Sequence, residues 1–524
     1  MSRLDVIVIG SGVNSLVTAS LLAKAGKDVL VIEARDQIGG LASTQEFVTG
    51  FKCNMINDAV KWIDPRVMDN LNLNAYGLKL LQPDIVRIAL GENKNHIIFH
   101  RDTKKTAASI EKQSENDAKV WSDFVNYINN ISQFLEKLYT LTPPNLPKVD
   151  LKDALNMRSL LGPLWSYGTR GLVDLIRLAP MMMPELTDEW FENELLRAAV
   201  STAGIHHLSF GPFAAGTGYN LLHQHLHSNG VFHQTQFVNG GSINLANSLK
   251  TSAESHGAVI RNGTPVQSIN VKNGICSGIT IGADEIIEAA QVVSGLDPKN
   301  TFHNLVGSSS LNPKFNTQLN NIRYRGSAAR IHFALNDLPE LPSIPEKHMG
   351  TVFSIAPSIE YLEKAADSVK YGLLPENPYI EFTVPSVVNP DFAPEGKHVL
   401  SATIQSAPYH LRDKNWDDGL KDQLKKNIIN VLEEYIPGFS SKIEYTSLLT
   451  PVDIESQFGL TEGNLNHGEM TLDQFMFMRP TISAAQYKTP IKNLYICGPG
   501  THPGGGLHGT SGFNAAREVL KNEF

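Results

Sequence analysis

Cysteine is scarce in this chain: Cys53, Cys276 and Cys497 lie far apart, with no CxxC pair. That spacing favours buried thiols over a redox pair or a metal site and is compatible with a reducing compartment. Long apolar runs are missing too. No stretch approaches the ~18 apolar residues of a membrane span. The first apolar run starts at Leu4 with no charged segment ahead of it, so no secretory signal is expected. A cytoplasmic site follows, peripheral to a membrane at most, or a mitochondrial matrix if the source is eukaryotic. Basic excess is absent as well. Lys and Arg number 45 against 53 Asp and Glu, giving a formal charge of −8 and a pI near 6.1, which argues against a nucleic-acid partner. There is no HExxH pattern. His223 and His227 have the spacing of metal ligands on a helix, but carboxylates are sparse from 201 to 253. His206, His207, His223, His225, His227 and His233 are therefore expected in a polar chamber wall or as hydrogen-bonded core groups.

What the chain does have begins at its N-terminus. Leu4–Ile9 is a short apolar run with the pattern of a strand buried on both faces. Gly10-Ser-Gly12 breaks it. Asn14 to Ala25 then carries apolar residues at helical spacing, and Asp28 to Ile32 reads as a second buried strand closing on Glu33. This is a dinucleotide-binding unit: the glycines admit a pyrophosphate to backbone N–H groups at the helix N-terminus. Glu33, at the end of the second strand, is placed to accept hydrogen bonds from ribose hydroxyls. Ser15 stands where the third glycine is usual. Gly39-Gly40 follows; such a second pair lets a loop pass close to the flavin end of a longer cofactor, which makes the dinucleotide FAD. Gly216-Thr-Gly218 lacks the following glycine and acidic strand end of a nicotinamide site.

At 524 residues, with 42% hydrophobic and 19% charged, the chain is too long for one core, and two intertwined domains are expected. Asn54, Asn57 and Asp58 either hydrogen-bond a flavin ring or cap a turn. Ile85–Leu90 and His96–Phe99 read as a hairpin, and 104–140 as a helix pair with a rough apolar stripe. Leu160–Leu186 is either a lipid-facing or substrate-entry element or a buried helix with a Met-filled gap; only Arg170 and Arg177 support the first, so the second is favoured. Thr187 looks like an N-cap for a helix running to about Val200. Gly240-Gly241 leads into a helix, hairpin strands with Asn-Gly turns follow, and Val266 falls where backbone meets an adenine edge. Strands over 328–334, 379–384 and 399–404 suggest the sheet of a substrate domain. His467, Asp473 and Arg479 suit a pocket wall. The tail, GPGTHPGGGLHG before a helix from Thr510, lets backbone approach a planar ligand, with the helix's free N–H groups turned toward it.

IGSGVNSLVTASLLAKAGKDVLVIEARDQIGG, VNGGSINLANSL, VVSGLDP, HGEMTLDQFMFMRP and LYICGPGTHPGGGLHGTSGFNAAREVL together resemble the phytoene desaturase-like FAD oxidoreductases. Within these the chain is similar to the branch containing pyridine nucleotide-disulphide oxidoreductase domain-containing protein 2. The resemblance implies an α/β fold, an FAD-binding Rossmann domain of the amine oxidase/phytoene desaturase type interleaved with an α+β substrate domain. The expected division is 1–100, 235–305 and 481–524 for the FAD part, 101–234 for a mainly helical substrate- or membrane-facing part, and 306–480 for the substrate sheet. FAD contacts are implied at Gly10, Gly12, Glu33, Gly39, Gly40, Val266, Gly498 and Gly512, with Asn14, Ser15, Ala34, Leu41 and Gly500 beside them. Leu41 stands where many relatives have an arginine.

The resulting expectation is hydride removal from an apolar, lipid- or isoprenoid-like molecule to flavin N5, with oxygen, a quinone or an external carrier as acceptor. A long apolar tunnel walled partly by 160–200 would accompany it. An amine or amino-acid oxidase, which needs an aromatic pair at the flavin, is the alternative; the tail supplies Phe513 without an obvious partner. A flavin-binding protein with a membrane or protein partner and little turnover is the third. His502 is the candidate catalytic residue nearest the ring, ahead of His508 and His467, unless each only braces a loop. Replacing Glu33 by Ala should lower the flavin absorbance per mole of purified protein; undiminished flavin content would count against the ribose role.

Overall fold

The structure, a computed structural model, describes residues 3–145, 171–282, 284–342 and 344–521. Two seven-stranded sheets carry the described chain. In the first, Leu4–Ile9 lies between Val29–Ile32 and Glu285–Ser294 and is parallel to both. Helices on both faces bury it, so Val6, Ile7 and Val8 are inaccessible, as an unbroken apolar run requires. Val259–Arg261 extends the sheet on one side. Glu285–Ser294 has two further partners besides Leu4–Ile9. Its first residues close a meander with Ile275–Ile281 and Val266–Lys272, while its last three run parallel to Leu494–Ile496. Asn273 and Gly274 both take positive φ (51° and 74°) in the hairpin turn, as an Asn-Gly turn demands. The carboxyl ends Ile9, Ile32, Ser294 and Ile496 therefore meet on one edge, where open parallel sheets hold ligands.

Helix Val13–Lys24 covers one face and is crossed by the last helix, Thr510–Lys521. At the crossing, a Cβ on Gly512 would lie 2.1 Å from the Asn14 carbonyl oxygen. The Gly512 N–H donates to Asn14 Oδ1 at 3.2 Å, and Thr18 Oγ1 donates to the Gly512 carbonyl at 2.9 Å. Gly512 thus belongs to backbone-to-backbone helix packing, which corrects its expected place beside the cofactor.

The second sheet runs in the order Ile443–Leu449, Ala329–Leu335, His398–Ile404, Ile380–Thr383, Phe353–Ile355, Ile85–Leu90, His96–His100. All its pairings are antiparallel except Phe353–Ile355 with Ile85–Leu90. The hairpin 85–100, counted by the sequence division with the cofactor part, is therefore two strands of the substrate sheet.

Between the sheets' sequences comes the helical part. Thr103–Glu111 and Glu115–Tyr139 start on the side-chain caps Asp102 and Ser114. Ile110, Phe124, Ile128, Ile131 and Leu135 of the expected stripe are all buried. Thr187 is not an N-cap. It sits inside a short helix, Met183–Asp188, that Pro184 starts early, and its Oγ1 donates back to the Met183 carbonyl at 3.0 Å. Asn193 caps the next helix, Glu194–Ile205, while the Asp117 carboxylate accepts from the Glu192 and Asn193 N–H groups at 2.9 and 2.8 Å.

Of the segment 160–186, residues 160–170 lie outside the described residues. The helix over 171–178 buries Leu178 but exposes Leu172, Val173 and Ile176 at 37%, 59% and 65%. The favoured buried helix is thus replaced by one with an apolar outer face; only Met183 behaves as the core filler. Among the described residues no helix is long and apolar enough to cross a membrane. Gly512→Ala should lower stability by about 1–3 kcal/mol through overpacking at Asn14, read as a lower thermal midpoint than wild type. An unchanged midpoint would show that the two helices re-space freely.

Candidate active site

A cavity of about 470 Å³ opens along the carboxyl edge of the first sheet and reaches the strands of the second at Arg330, Glu381, Phe382, Thr383 and Thr403. Its first-sheet end is built from backbone. Gly10 turns the chain at φ +88°, and Gly12 caps the helix with no side chain bonded to the first-turn N–H groups. No atom lies within 4 Å of a Cβ placed on Gly12, so the cradle is open. Glu33 closes it. One carboxylate oxygen accepts from the Ser11 N–H at 2.9 Å and the Ser11 hydroxyl at 2.5 Å, and the other from the Arg35 N–H at 2.9 Å. The Gly39 N–H bonds the Ser11 carbonyl at 3.0 Å, so the second glycine pair is laced to the first loop. An uncapped helix N-terminus, an open glycine turn and a carboxylate at the neighbouring strand end fit the pyrophosphate and ribose of a dinucleotide.

Gly10, Gly12, Asn14, Ser15, Glu33, Ala34, Gly39, Gly40, Leu41 and Val266 all line this cavity. Ser15 is accommodated because residue 295 is glycine: a Cβ there would come 1.9 Å from Ser15 Oγ. The tail behaves differently from expectation. Pro499, Gly505, Gly506, Leu507 and His508 line the cavity, whereas Gly498, Gly500 and Gly512 do not. Gly498 and Gly500 serve close packing, since their Cβ atoms would approach the Gly295 carbonyl and Pro298 at 2.5 and 2.7 Å. Nor does the last helix turn those N–H groups to the ligand, because Thr510 N–H is taken by His508 Nδ1 at 3.1 Å and Gly512 N–H by Asn14.

The histidines divide by what they touch. His508 Nδ1 accepts from Thr510, so Nε2 carries the proton and donates to the Gly505 carbonyl at 3.0 Å. His223 donates to the same carbonyl at 2.8 Å while its Nδ1 accepts from Tyr139. Trp62 stacks on His508 at 4.3 Å and 6°. Together they hold the glycine-rich loop over the cavity. Burial, with His223 nearby, pushes His508 down to about 3, so it is neutral. His467 also lines the cavity. Burial lowers it to about 4 against the pull of Asp297, and its Nδ1 has no hydrogen-bond partner among the described residues.

His502 is a correction. It lies outside the cavity wall, with Nε2 3.3 Å from the Leu138 carbonyl and its ring edge-on to Tyr139 at 5.4 Å. Its position braces the tail loop against the long helix. Arg479 is a correction too: its guanidinium bonds the carbonyls of Glu469, Gln474, Gly468 and Pro499, and Asp473 pairs with Arg323 toward solvent. Among the described residues no group of three or more His, Cys, Asp or Glu side chains could hold a metal ion, and the His223 ring is taken up by Tyr139 and the Gly505 carbonyl.

Asn54 ties together the paired strands Thr44–Val48 and Phe51–Asn54 by accepting from Thr44 Oγ1 at 2.8 Å, whereas Asn57 and Asp58, in the turn that follows, line the cavity. Asp58 pairs with Arg330 at 2.6 Å, both almost fully buried, and joins the turn to the second sheet. Burial pushes the Asp58 carboxyl up against Arg330's pull. Sequence reasoning missed Lys61, Arg87, Arg330 and Glu381. For the last three the signal was present, a charge inside an apolar strand run in IVRIAL, ARIHFAL and IEFT.

The family described as flavin containing amine oxidoreductase matches residues 16–520. Rattus norvegicus pyridine nucleotide-disulfide oxidoreductase domain-containing protein 2 is 30% identical over 542 residues, covering 99% of this chain and 93% of that one. A lycopene-forming phytoene desaturase from Pseudescherichia vulneris is 25% identical, covering 96% of each. The solved structure of putrescine oxidase bound to putrescine shares the fold at a TM-score of 0.58 and 14% identity, covering 99% of both chains.

Removing one partner of the buried Asp58–Arg330 pair leaves a desolvated charge. Arg330→Met should therefore destabilise the protein by about 3–5 kcal/mol in denaturant unfolding, with part recovered in the double variant carrying Asp58→Asn. A single variant as stable as the double would show that the pair carries no such penalty.

Proposed function

This chain belongs to the flavin-containing amine oxidoreductase family, in its phytoene desaturase-like group, and from that premise we propose that it is a desaturase or dehydrogenase of a lipid- or isoprenoid-like substrate. It is an FAD-dependent oxidoreductase. FAD when bound supplies the hydride acceptor at N5, and the chain's part is to bind, orient and exclude water. For the cofactor we propose pyrophosphate contacts at Gly10, Gly12 and the first turn at Asn14 and Ser15, ribose contacts at Glu33, and backbone contacts at Ala34, Gly39, Gly40, Leu41 and Val266.

The observation that carries the substrate reading is the continuity of this groove with a chamber walled by Ile56, Trp62, Val352, Phe382 and Leu465, into which Lys61 also faces. An apolar body fits those walls, and a protonated amine would meet the lysine's like charge. The amine oxidase alternative has lost the one aromatic the tail offered it as well: Phe513 lies under Arg66 at 4.5 Å and is not among the cavity-lining residues. With one dinucleotide site and no cysteine pair, the acceptor we propose is oxygen, a quinone or an external carrier. The apolar outer face of 171–178 supports peripheral membrane contact, on the cytoplasmic or matrix side.

Anaerobic titration of the FAD-loaded protein should show bleaching by isoprenoid or other lipid substrates and none by aliphatic amines. Bleaching by an amine alone would sink this reading. Bleaching by NADPH would overturn the electron path, and a flavin that nothing in the panel reduces would leave the low-turnover binding protein.

A further inference from the structure

The chamber contains a cation, Lys61, with no hydrogen-bonded or ion-paired partner of its own among the described residues. Lys61 follows Val60, which is paired antiparallel with Gln236 through bonds of 2.8 and 3.0 Å, and precedes the stacked Trp62, so its backbone is held firmly. Its side chain lines the cavity and makes no hydrogen bond or ion pair among the described residues. Glu381 faces it, but that carboxylate is already claimed. Arg87 Nη2 donates to it at 2.5 Å and the Tyr379 hydroxyl at 3.2 Å. Although burial alone would raise the Glu381 carboxyl, Arg87 and Lys61 hold it far below the usual range, so it is ionised.

Two cations thus stand against one anion. Farther along the wall, Arg330 and Asp58 cancel each other. Beside Lys61 lie His206 and His207, stacked at 3.9 Å and 27°, both lining the cavity and both pushed down by burial, His207 to about 4. They are neutral at pH 7 and offer donors without charge. Behind Lys61 and His206 is a void of about 10 Å³ that also touches Arg87, His225 and His233. It holds one water at most, and Arg87 Nε has no protein partner there. A larger group is stopped at Lys61.

An unpaired ammonium in a desolvated wall is costly unless an anion joins it. We propose that Lys61, with the imidazoles of His206 and His207 beside it, holds the carboxylate head of an amphiphilic substrate whose apolar body lies against Trp62, Val352 and Phe382. The inference rests on the function proposed above and names the substrate class: a long-chain or isoprenoid carboxylate, neither a bare hydrocarbon nor an amine. Burial lowers Lys61 to about 8, partly offset by Glu381 and reinforced by Arg87. The buried His206, His207, His225 and His233 stay neutral through this range. Lys61 is therefore charged at pH 7 and loses its proton as the pH rises through about 8, so carboxylate binding must weaken toward pH 9.

The test is calorimetric titration of the FAD-loaded protein with decanoate, decanol and decylamine at pH 7 and pH 9. Decanoate should bind most tightly at pH 7 and lose about ten-fold in affinity by pH 9, while decanol binding stays level. Lys61→Met should weaken decanoate by about ten-fold or more at pH 7 and leave decanol unchanged. Lys61→Arg should restore decanoate binding and remove its pH dependence. Absent decanoate binding in the wild type, equal decanoate affinity in Lys61→Met, or tighter binding of decylamine would each overturn the proposal; if Lys61→Met fails to fold, the wild-type pH series and Lys61→Arg decide. Lys61-dependent decanoate binding in a protein whose flavin only amines bleach would sink the proposed function and leave this site standing. Lipid bleaching without such binding would do the reverse.

Discussion

The parallel pairing of Leu4–Ile9 with Val29–Ile32 and Glu285–Ser294 is the constraint on which the rest depends. Parallel strands cannot be joined by tight turns, so each must be reached by a crossover, and their carboxyl ends then fall on one edge. Here the crossovers are long enough to contain the helical part and most of the second sheet. That edge gathers Gly10, Glu33, Gly295 and Cys497 from positions spread over almost the whole chain. Close approach is possible because several gathered residues are glycine. Gly295 admits Ser15, Gly498 admits the Gly295 carbonyl, and Gly512 admits the helix carrying Asn14.

Burial governs the chemistry as much as position does. His223, His467 and His508 are held neutral by desolvation, and two of them spend their ring N–H groups on the Gly505 carbonyl. His223 and His508 behave as loop holders rather than acids. The charges that survive burial are those with partners, Arg87 with Glu381 and Arg330 with Asp58. Lys61 stands out from this background because its charge points into space that a ligand can occupy.

The cofactor end was legible in the sequence because it is written in contiguous segments. Strand, glycine turn, helix and acidic strand end follow each other over some thirty residues, and their backbone roles do not depend on distant partners. The tail was legible as a glycine-rich loop, but not which glycine does what. Gly505 and Gly506 line the cavity, while Gly498, Gly500 and Gly512 make room for other backbone. Thr187 misled because Thr followed by two acids is a good cap pattern locally, yet Pro184 had already started the helix. Leu172, Val173 and Ile176 show the same limit, since apolar spacing says that a face exists and not which way it turns.

By itself the sequence determined the dinucleotide unit, FAD as its cofactor and the family, because these rest on local backbone geometry and on motifs kept in order along the chain. It also determined that the three thiols are buried and unpaired, as the structure has them. Only the tertiary structure decided which side chains face the chamber. His502, adjacent in sequence to the cavity-lining loop, turns toward Leu138, and Lys61, unremarked in an ordinary apolar stretch, faces Glu381, 320 positions further along the chain. A side chain's direction and its counter-charges depend on which strands pack beside it, and that is set by crossovers no local pattern records.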